Sequence, residues 1–179
     1  MRRQFKIPTS AVIETIRAER GTDIPEAVIN AIESERDYQE SRWNPDTTTT
    51  EGLHTFSEWC VYIEDYIQEG LGQARSNATA TAAATMRKVV SMAVAALEQY
   101  GVPQVTDLKF SLSLDQGRQT LEWWFDTLQS IVNICKHTLS REAAQVSDPK
   151  AAVQFVRLAS YGVAAMEQHG AYQRIGFER

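Results

Sequence analysis

The sequence predicts an all-α protein, a bundle of about six helices built from two pseudo-repeated helical hairpins. An eight-residue stretch, V-A-A-L-E-Q-Y-G at 94–101, returns as V-A-A-M-E-Q-H-G at 163–170. Upstream of each copy lies another helical pattern, opened by an E-W pair at 58–59 and again at 122–123. Because an internal repeat sets the architecture of a chain, we interpret the unit as a helical hairpin used twice. The alternative interpretation is that the similarity is only what any two amphipathic helices would show.

Apolar residues spaced three and four apart, together with helix-capping and helix-breaking residues, give the order of the elements. Pro25 stands near a helix start, and Gly101 followed by Pro103 ends a helix. Residues 102–114 join the two copies. Within them, 108–114 alternate apolar and polar, which we interpret as an extended linker, with a strand formed by dimer pairing as the alternative. The tail that carries Arg174 is expected to be exposed. The predicted helices span about 10–20, 24–42, 57–74, 82–100, 118–139 and 149–170.

Composition indicates one folded domain. The 179 residues, 43% of them hydrophobic, can bury a sizeable core. We expect residues 1–104, with two helices and the first hairpin, and residues 105–179, with the linker and a degenerate second hairpin, to form one compact domain. The third helix should bury its apolar face, and the adjacent Trp123 and Trp124 should point in different directions, with Trp124 buried.

The charge balance limits the classes of partner. A net charge of -5 argues against general nucleic-acid binding, which usually needs a basic face. The longest apolar run is far shorter than the roughly 20 residues of a membrane span, so no membrane contact is expected. Cys60 and Cys135 lie on apolar helix faces, which predicts buried free thiols and a cytoplasmic protein.

The third helix carries an acidic face. Glu58, Asp65 and Glu69 are seven and four residues apart, so they share one side, with Glu64 on its flank. Side chains at this spacing can hold one divalent cation through oxygen ligands. Glu35 on the second helix adds a further acid just before the loop. The alternative is a solvated surface, although the second copy of the helix does not keep these acids.

Residues 29–103 resemble the MazG-like class, small proteins common in phage and bacterial genomes. The resemblance is carried by I-E-S-E-R-D-Y-Q at 32–39, Trp43, the acidic helix, and the stretch from R-K-V-V at 87–90 to E-Q-Y-G at 98–101. That class belongs to the all-α nucleoside triphosphate pyrophosphohydrolases. Its members use Mg²⁺ on helix-borne carboxylates and split the α–β phosphate bond of a nucleotide.

The resemblance implies a nucleotide or nucleotide-derived ligand and a Mg²⁺ cofactor. Implied metal ligands are Glu35, Glu64, Asp65 and Glu69. Of these, Glu64 and Glu69 would be catalytic. Residues implied to bind the nucleotide are Arg87 and Lys88 for the phosphates, and Tyr38 and Trp43 for the base.

This sequence departs from the class pattern in two places. Ile67 follows Glu64 at the spacing of an E-x-x-E pair, and the fourth helix has no acid between Met86 and Leu97, where the class has an E-x-x-D pair. The function expected is therefore a MazG-like nucleotide-binding protein, with Mg²⁺-dependent pyrophosphohydrolase activity as one possibility. The alternatives are a binder that sequesters a nucleotide without cleaving it, and a structural or partner-binding bundle, which includes a homo-oligomer.

Overall fold

The computed structural model describes residues 7–42, 54–102, 117–139 and 149–174. Within these ranges every regular element is an α-helix, which confirms the all-α prediction. Trp43 and all but the first residue of the predicted linker lie outside them. The helices are α1 Thr9–Arg20, α2 Glu26–Arg42, α3 Phe56–Arg75, α4 Thr79–Tyr100, α5 Leu121–Leu139 and α6 Pro149–His169.

Local chemistry accounts for several of the helix ends. Thr55 and Glu58 form a capping box, in which each side chain binds the backbone N–H of the other and so satisfies two free donors at the start of α3. Glu58 of the acidic face is thus a capping residue. Its pKa is lowered chiefly by the hydrogen bond from the Thr55 backbone. Gly21, with φ 66°, ends α1 in the left-handed conformation that glycine adopts without a Cβ penalty.

Two antiparallel hairpins form the body of the bundle. In the α3–α4 hairpin the side chain of Gln73, near the end of α3, accepts a hydrogen bond from Thr85, near the start of α4. The hairpins meet through α3 against α5 and through α4 against α6. The α3 and α5 helices also run antiparallel, since Arg75 at the end of α3 contacts Glu122 at the start of α5. Helices α1 and α2 cover α4 and α6 from the other side, so the bundle has three layers.

Helix α4 lies at the centre of this arrangement and is buried along nearly its whole length. It is the one helix of the described part that is long and apolar enough to cross a membrane, and 78% of its most apolar window is buried inside the protein. Contacts with the other helices therefore explain its composition. Its apolar side chains form one core cluster with those of the other five helices.

The two hairpins repeat one set of hydrogen bonds. The Gln99 side chain accepts from the indole N–H of Trp59 at 3.1 Å, and the Gln168 side chain accepts from that of Trp124 at 3.0 Å. Each glutamine also binds backbone groups just before the first helix of its hairpin. The structural counterpart of Trp59 is therefore Trp124, and the alignment with Trp123 was wrong by one residue. The superposition of whole hairpins stays a prediction.

A second repeated contact joins the outer helices to the central ones. The pattern V-I-x-x-I-x-x-E-R occurs at 12–20 in α1 and at 28–36 in α2. Its final arginine pairs with the glutamate of an E-Q-x-G motif in both places: Arg36 with Glu98, and Arg20 with Glu167, each at 2.5 Å. The E-Q-x-G motif thus orients two neighbouring layers, through its glutamate and its glutamine.

Candidate functional site

A recess of about 240 Å³ opens between α3 and α4. Two tyrosines and two carboxylates of α3 line it, each pair spaced by four residues and therefore on one face of the helix. Met92 of α4 also lines it. The acidic face predicted from the sequence is thus one wall of a concave surface. The lining residues of α3 are Tyr62, Asp65, Tyr66 and Glu69.

Lys88 of α4 lies beside this recess. Its ammonium nitrogen is 3.5 Å from a carboxylate oxygen of Glu69 and 5.3 Å from the centre of the Tyr66 ring. Glu69 also accepts a hydrogen bond from Gln73 at 3.0 Å. A cation over an aromatic face and next to a carboxylate is held by both. The predicted binding residue Lys88 and the predicted metal ligand Glu69 are therefore neighbours.

The phenol of Tyr66 is electrostatically perturbed. Burial raises its pKa, and the negative charges of Glu35 and Glu69 raise it further, while Arg174 acts in the opposite sense. These interactions show that carboxylates of α2 and α3 act on the same phenol. Tyr66 keeps its proton at neutral pH and can donate a hydrogen bond.

Glu35 is engaged by two arginines next to this recess. Its carboxylate accepts from Nε of Arg87 at 2.9 Å, and from Nε and Nη2 of Arg174 at 2.8 and 3.1 Å. Only 2% of Glu35 is exposed. A buried carboxylate needs such partners, because an unpaired charge in the interior is strongly unfavourable. Glu35 was predicted as a metal ligand, but in this structure its oxygens bind guanidinium groups.

The segment after α6 provides one of those arginines. It crosses α2 and α4, where the Tyr172 carbonyl accepts from Arg87 and the Arg174 backbone N–H donates to Ser34. The Arg174 guanidinium carbon lies 3.7 Å from the centre of the Tyr38 ring. The expectation of an exposed Arg174 was wrong: its side chain is 8% exposed, because carboxylate and ring together compensate its lost hydration.

Contacts with this segment occupy the side chains of Arg87 and Tyr38. Arg87, predicted to contact phosphates, is buried and bound to Glu35 and the Tyr172 carbonyl. Tyr38, predicted to stack a base, instead has the Arg174 guanidinium over its ring. Two of the predicted nucleotide-binding residues therefore contribute to an internal cluster, and Trp43 lies outside the described ranges.

Glu64 faces a different neighbour from Glu69. It forms an ion pair with Lys136 and accepts a hydrogen bond from Gln129 at 2.8 Å, both on α5. The hydrogen bond from Lys136 is the main reason that its pKa is lowered. The two carboxylates predicted to be catalytic therefore turn toward different helices, Glu64 toward α5 and Glu69 toward Lys88 of α4.

Of the four predicted metal ligands, Asp65 and Glu69 line the recess. No group of three or more His, Cys, Asp or Glu side chains in the described ranges is arranged to hold a metal ion. Two carboxylates nevertheless suit Mg²⁺ that is also bound by the phosphates of a ligand, since Mg²⁺ commonly keeps several waters and takes only one or two protein carboxylates. The Mg²⁺ assignment stays a prediction, with Asp65 and Glu69 as the pair that fits it.

Sequence reasoning missed several residues of this region. The spacing of Tyr62 and Tyr66, the same as that of the two acids, could have placed both rings on the recess. No local pattern indicates that Arg174 or Lys136 pairs with a glutamate so far away in the chain.

Comparisons with known proteins do not assign this chain to a family. No family model, curated protein or solved structure matches it significantly. The resemblance to the MazG-like class accordingly stays a prediction, and the function rests on the geometry of the recess.

Proposed function

We propose that this protein binds a nucleotide or nucleotide-derived ligand, together with Mg²⁺, in the recess between α3 and α4. The protein binds this ligand without cleaving it. The observation that carries the proposal is the combination of two tyrosine rings and two carboxylates on one concave surface, with Lys88 beside it. Ligand sites are typically concave surfaces of this kind, with apolar walls and a few polar groups.

The aromatic wall suits a base. Tyr62 is partly exposed, and Tyr66 lies four residues further along the same face. Stacking of a base on an aromatic side chain contributes about 1–3 kcal/mol and depends little on which base is bound. A volume of about 240 Å³ is below the roughly 300–1,000 Å³ usual for complete small-molecule sites. The recess therefore holds one part of a nucleotide, and the rest extends over the surface.

The acidic wall sets a requirement for a cation. Asp65 and Glu69 repel the phosphates of a free nucleotide, and Lys88, already paired with Glu69, does not offset both charges. A Mg²⁺ ion between carboxylates and phosphates removes this repulsion. Binding should therefore depend on a divalent cation, whereas a binder with a basic pocket would not need one.

Binding without cleavage is supported by the partners of the other acids. The class that the sequence resembles uses carboxylates from two helices to hold Mg²⁺. Here Glu35 is bound by two arginines and Glu64 by Lys136. Two carboxylates on a single helix remain for the recess, enough to bind a Mg²⁺–phosphate complex but few to position and activate a water molecule.

Incubation with a panel of nucleoside triphosphates and Mg²⁺ or Mn²⁺ tests this proposal. We expect the protein to bind a member of the panel, and the ligand recovered after heat denaturation to be intact. Glu69→Ala should abolish the binding, whereas Asp126→Asn, which removes an exposed carboxylate of α5, should not. Pyrophosphate release that Glu69→Ala abolishes would instead show an enzyme. If no nucleotide binds, the alternative function, a structural or partner-binding bundle, is favoured.

A further inference from the structure

Cys60 of α3 and Cys135 of α5 are both buried free thiols on the two helices through which the hairpins meet, and each perturbs the pKa of the other. We propose that these two cysteines form a redox-active dithiol, in which Cys60 reacts with a hydroperoxide and Cys135 then closes a disulfide between the hairpins. Neither cysteine lines the proposed ligand recess.

Access to Cys60 comes from a second recess. A space of about 110 Å³ is lined by Phe56, Ser57, Cys60, Val61 and Lys136. Hydrogen peroxide is a small molecule, and a water molecule takes only about 30 Å³ in the liquid, so this space admits it. Cys60, but not Cys135, lines the recess. The two thiols therefore differ in access, as an attacking and a resolving cysteine must.

The electrostatic surroundings separate the two thiols in the same sense. The interaction with Cys135 is the main cause that lowers the pKa of Cys60. Burial raises this pKa, and the positive charge of Lys136 lowers it. The same interaction and burial raise the pKa of Cys135. The thiolate, not the thiol, is the nucleophile, so the cysteine that lines the recess together with Lys136 is the one placed to react first.

The two thiols occupy a place that the other half of the bundle fills with a ring and a glycine. With Trp59 equivalent to Trp124, the counterparts of Cys60 and Cys135 are Phe125 and Gly70. These two also meet between α3 and α5, where the Phe125 ring fills the place that a Cβ at position 70 would take. At one contact between α3 and α5, the Phe125 ring packs against Gly70. At the equivalent contact, Cys60 and Cys135 lie next to an open recess.

The proposed chemistry is a two-electron oxidation. The Cys60 thiolate attacks one oxygen of the hydroperoxide, the O–O bond breaks, and the alcohol, or water from hydrogen peroxide, leaves after taking up a proton. Cys60 is then a sulfenic acid. The sulfur of Cys135 attacks the sulfur of Cys60, the S–O bond breaks, and water leaves with the Cys135 proton. Two thiols are oxidised to one disulfide, and one hydroperoxide is reduced.

Mass spectrometry of the folded full-length protein treated with a small excess of hydrogen peroxide tests the proposal. We expect a product that has lost two hydrogen atoms, with a peptide cross-link between Cys60 and Cys135 that dithiothreitol reverses. Cys135→Ser should stop at a sulfenic acid on Cys60, trapped by dimedone. Cys60→Ser should stay reduced under the same treatment. Oxidation of Cys60→Ser as fast as wild type, or no cross-link in wild type, would overturn the proposal.

A measurement on the wild-type protein avoids dependence on variants that fail to fold. The small thiol reagent methyl methanethiosulfonate, applied to the native protein, should modify Cys60 at least about tenfold faster than Cys135, because Cys60 lines the recess and Cys135 does not. Peptide mapping after brief treatment gives the two rates. Equal rates, or faster modification of Cys135, would contradict the assigned roles.

Discussion

The indole N–H of Trp59 donates a hydrogen bond to the side-chain oxygen of Gln99 across 3.1 Å, from the first helix of its hairpin to the second. The amide N–H group of the same glutamine donates to the His54 carbonyl at 2.6 Å, so one side chain fixes both the helix pair and the chain that enters it. The second hairpin has the same arrangement around Gln168 and Trp124.

Replacing either glutamine by alanine should destabilise the protein, Gln99→Ala more than Gln168→Ala. Each variant leaves an indole N–H and backbone groups without partners, but those of Gln99 are the more buried. An unsatisfied buried polar group costs about 1–3 kcal/mol, and solvent reduces this cost at Gln168. Urea denaturation followed by circular dichroism measures both. Gln68→Ala is the control, because the hydrogen bond of Gln68 to Gln129 is exposed, and it should have little effect. A large effect at one glutamine and none at the other would contradict the structural equivalence of the two hairpins.

The close crossing of α3 and α5 gives a second prediction. A Cβ at Gly70 would overlap the Phe125 ring, whereas a Cβ at Gly72 would meet nothing. Overpacking typically costs about 1–3 kcal/mol, so Gly70→Ala should lower the melting temperature. Gly72→Ala should leave it unchanged or raise it, because alanine is favoured over glycine inside a helix. Equal melting temperatures for the two variants would contradict a close contact between Gly70 and Phe125.

The pairing of Glu35 with two arginines can be tested through the segment after α6. Arg174→Ala removes one partner of Glu35 but leaves Arg87, so we expect a loss of about 1–3 kcal/mol in the free energy of unfolding. Glu35→Ala leaves both arginines without their common carboxylate and should cost more, about 3–5 kcal/mol. Urea denaturation gives both values. No change for Arg174→Ala would show that this segment is not docked in solution.

Glu19 predicts a dependence of stability on pH. It is buried on α1, neither oxygen has a hydrogen-bond partner, and burial raises its pKa although the charge of Arg157 on α6 lowers it. The folded protein therefore holds this proton more tightly than the unfolded chain, and stability falls as the pH rises from the ordinary value of 4.5 through the raised pKa. Glu19→Gln removes this loss, so its stability relative to wild type should increase with pH across that window.

Glu64→Gln is the control of opposite sign. The pKa of Glu64 is lowered, chiefly by the hydrogen bond from Lys136, so its contribution to stability is present above the ordinary carboxyl pKa and is lost as the pH falls through the lowered one. The variant should be less stable than wild type at neutral pH and equal to it in strong acid. Denaturation midpoints measured from acidic to neutral pH separate the two. Parallel pH curves for wild type and Glu19→Gln would contradict a buried Glu19 carboxylate that lacks a hydrogen bond.

The sequence was sufficient for the elements that depend on local patterns. The apolar positions of α3 recur at three and four residues, and those predicted for its core, such as Trp59 and Ile63, are buried. Trp124 is buried, as predicted, and the Trp123 ring lies beside it, with ring centres 4.9 Å apart. The predicted start of α5 at 118 was early by three residues, because Thr120 caps this helix by accepting from the Trp123 backbone N–H.

The candidate site was predictable only in part, because its electrostatics depend on contacts between distant residues. The acidic face of α3 follows from spacing, and Asp65 and Glu69 do share a recess. The partners of Glu35 and Glu64 follow from how the helices pack and from the path of the chain after Gly170. Of the predicted metal ligands, Asp65 and Glu69 therefore line the recess. Glu35 and Glu64 are instead neutralised by arginine and lysine side chains.

Isothermal titration calorimetry with nucleoside triphosphates, in Mg²⁺ and then in EDTA, tests the proposed function most directly. We predict binding in Mg²⁺ that weakens at least about tenfold without it, equivalent to about 1.4 kcal/mol, because Asp65 and Glu69 then repel the phosphates. Asp65→Asn and Glu69→Gln should reduce the binding in Mg²⁺, while Asp126→Asn should not. Equal affinity in Mg²⁺ and in EDTA, or binding that neither recess variant changes, would contradict a Mg²⁺–nucleotide site between α3 and α4.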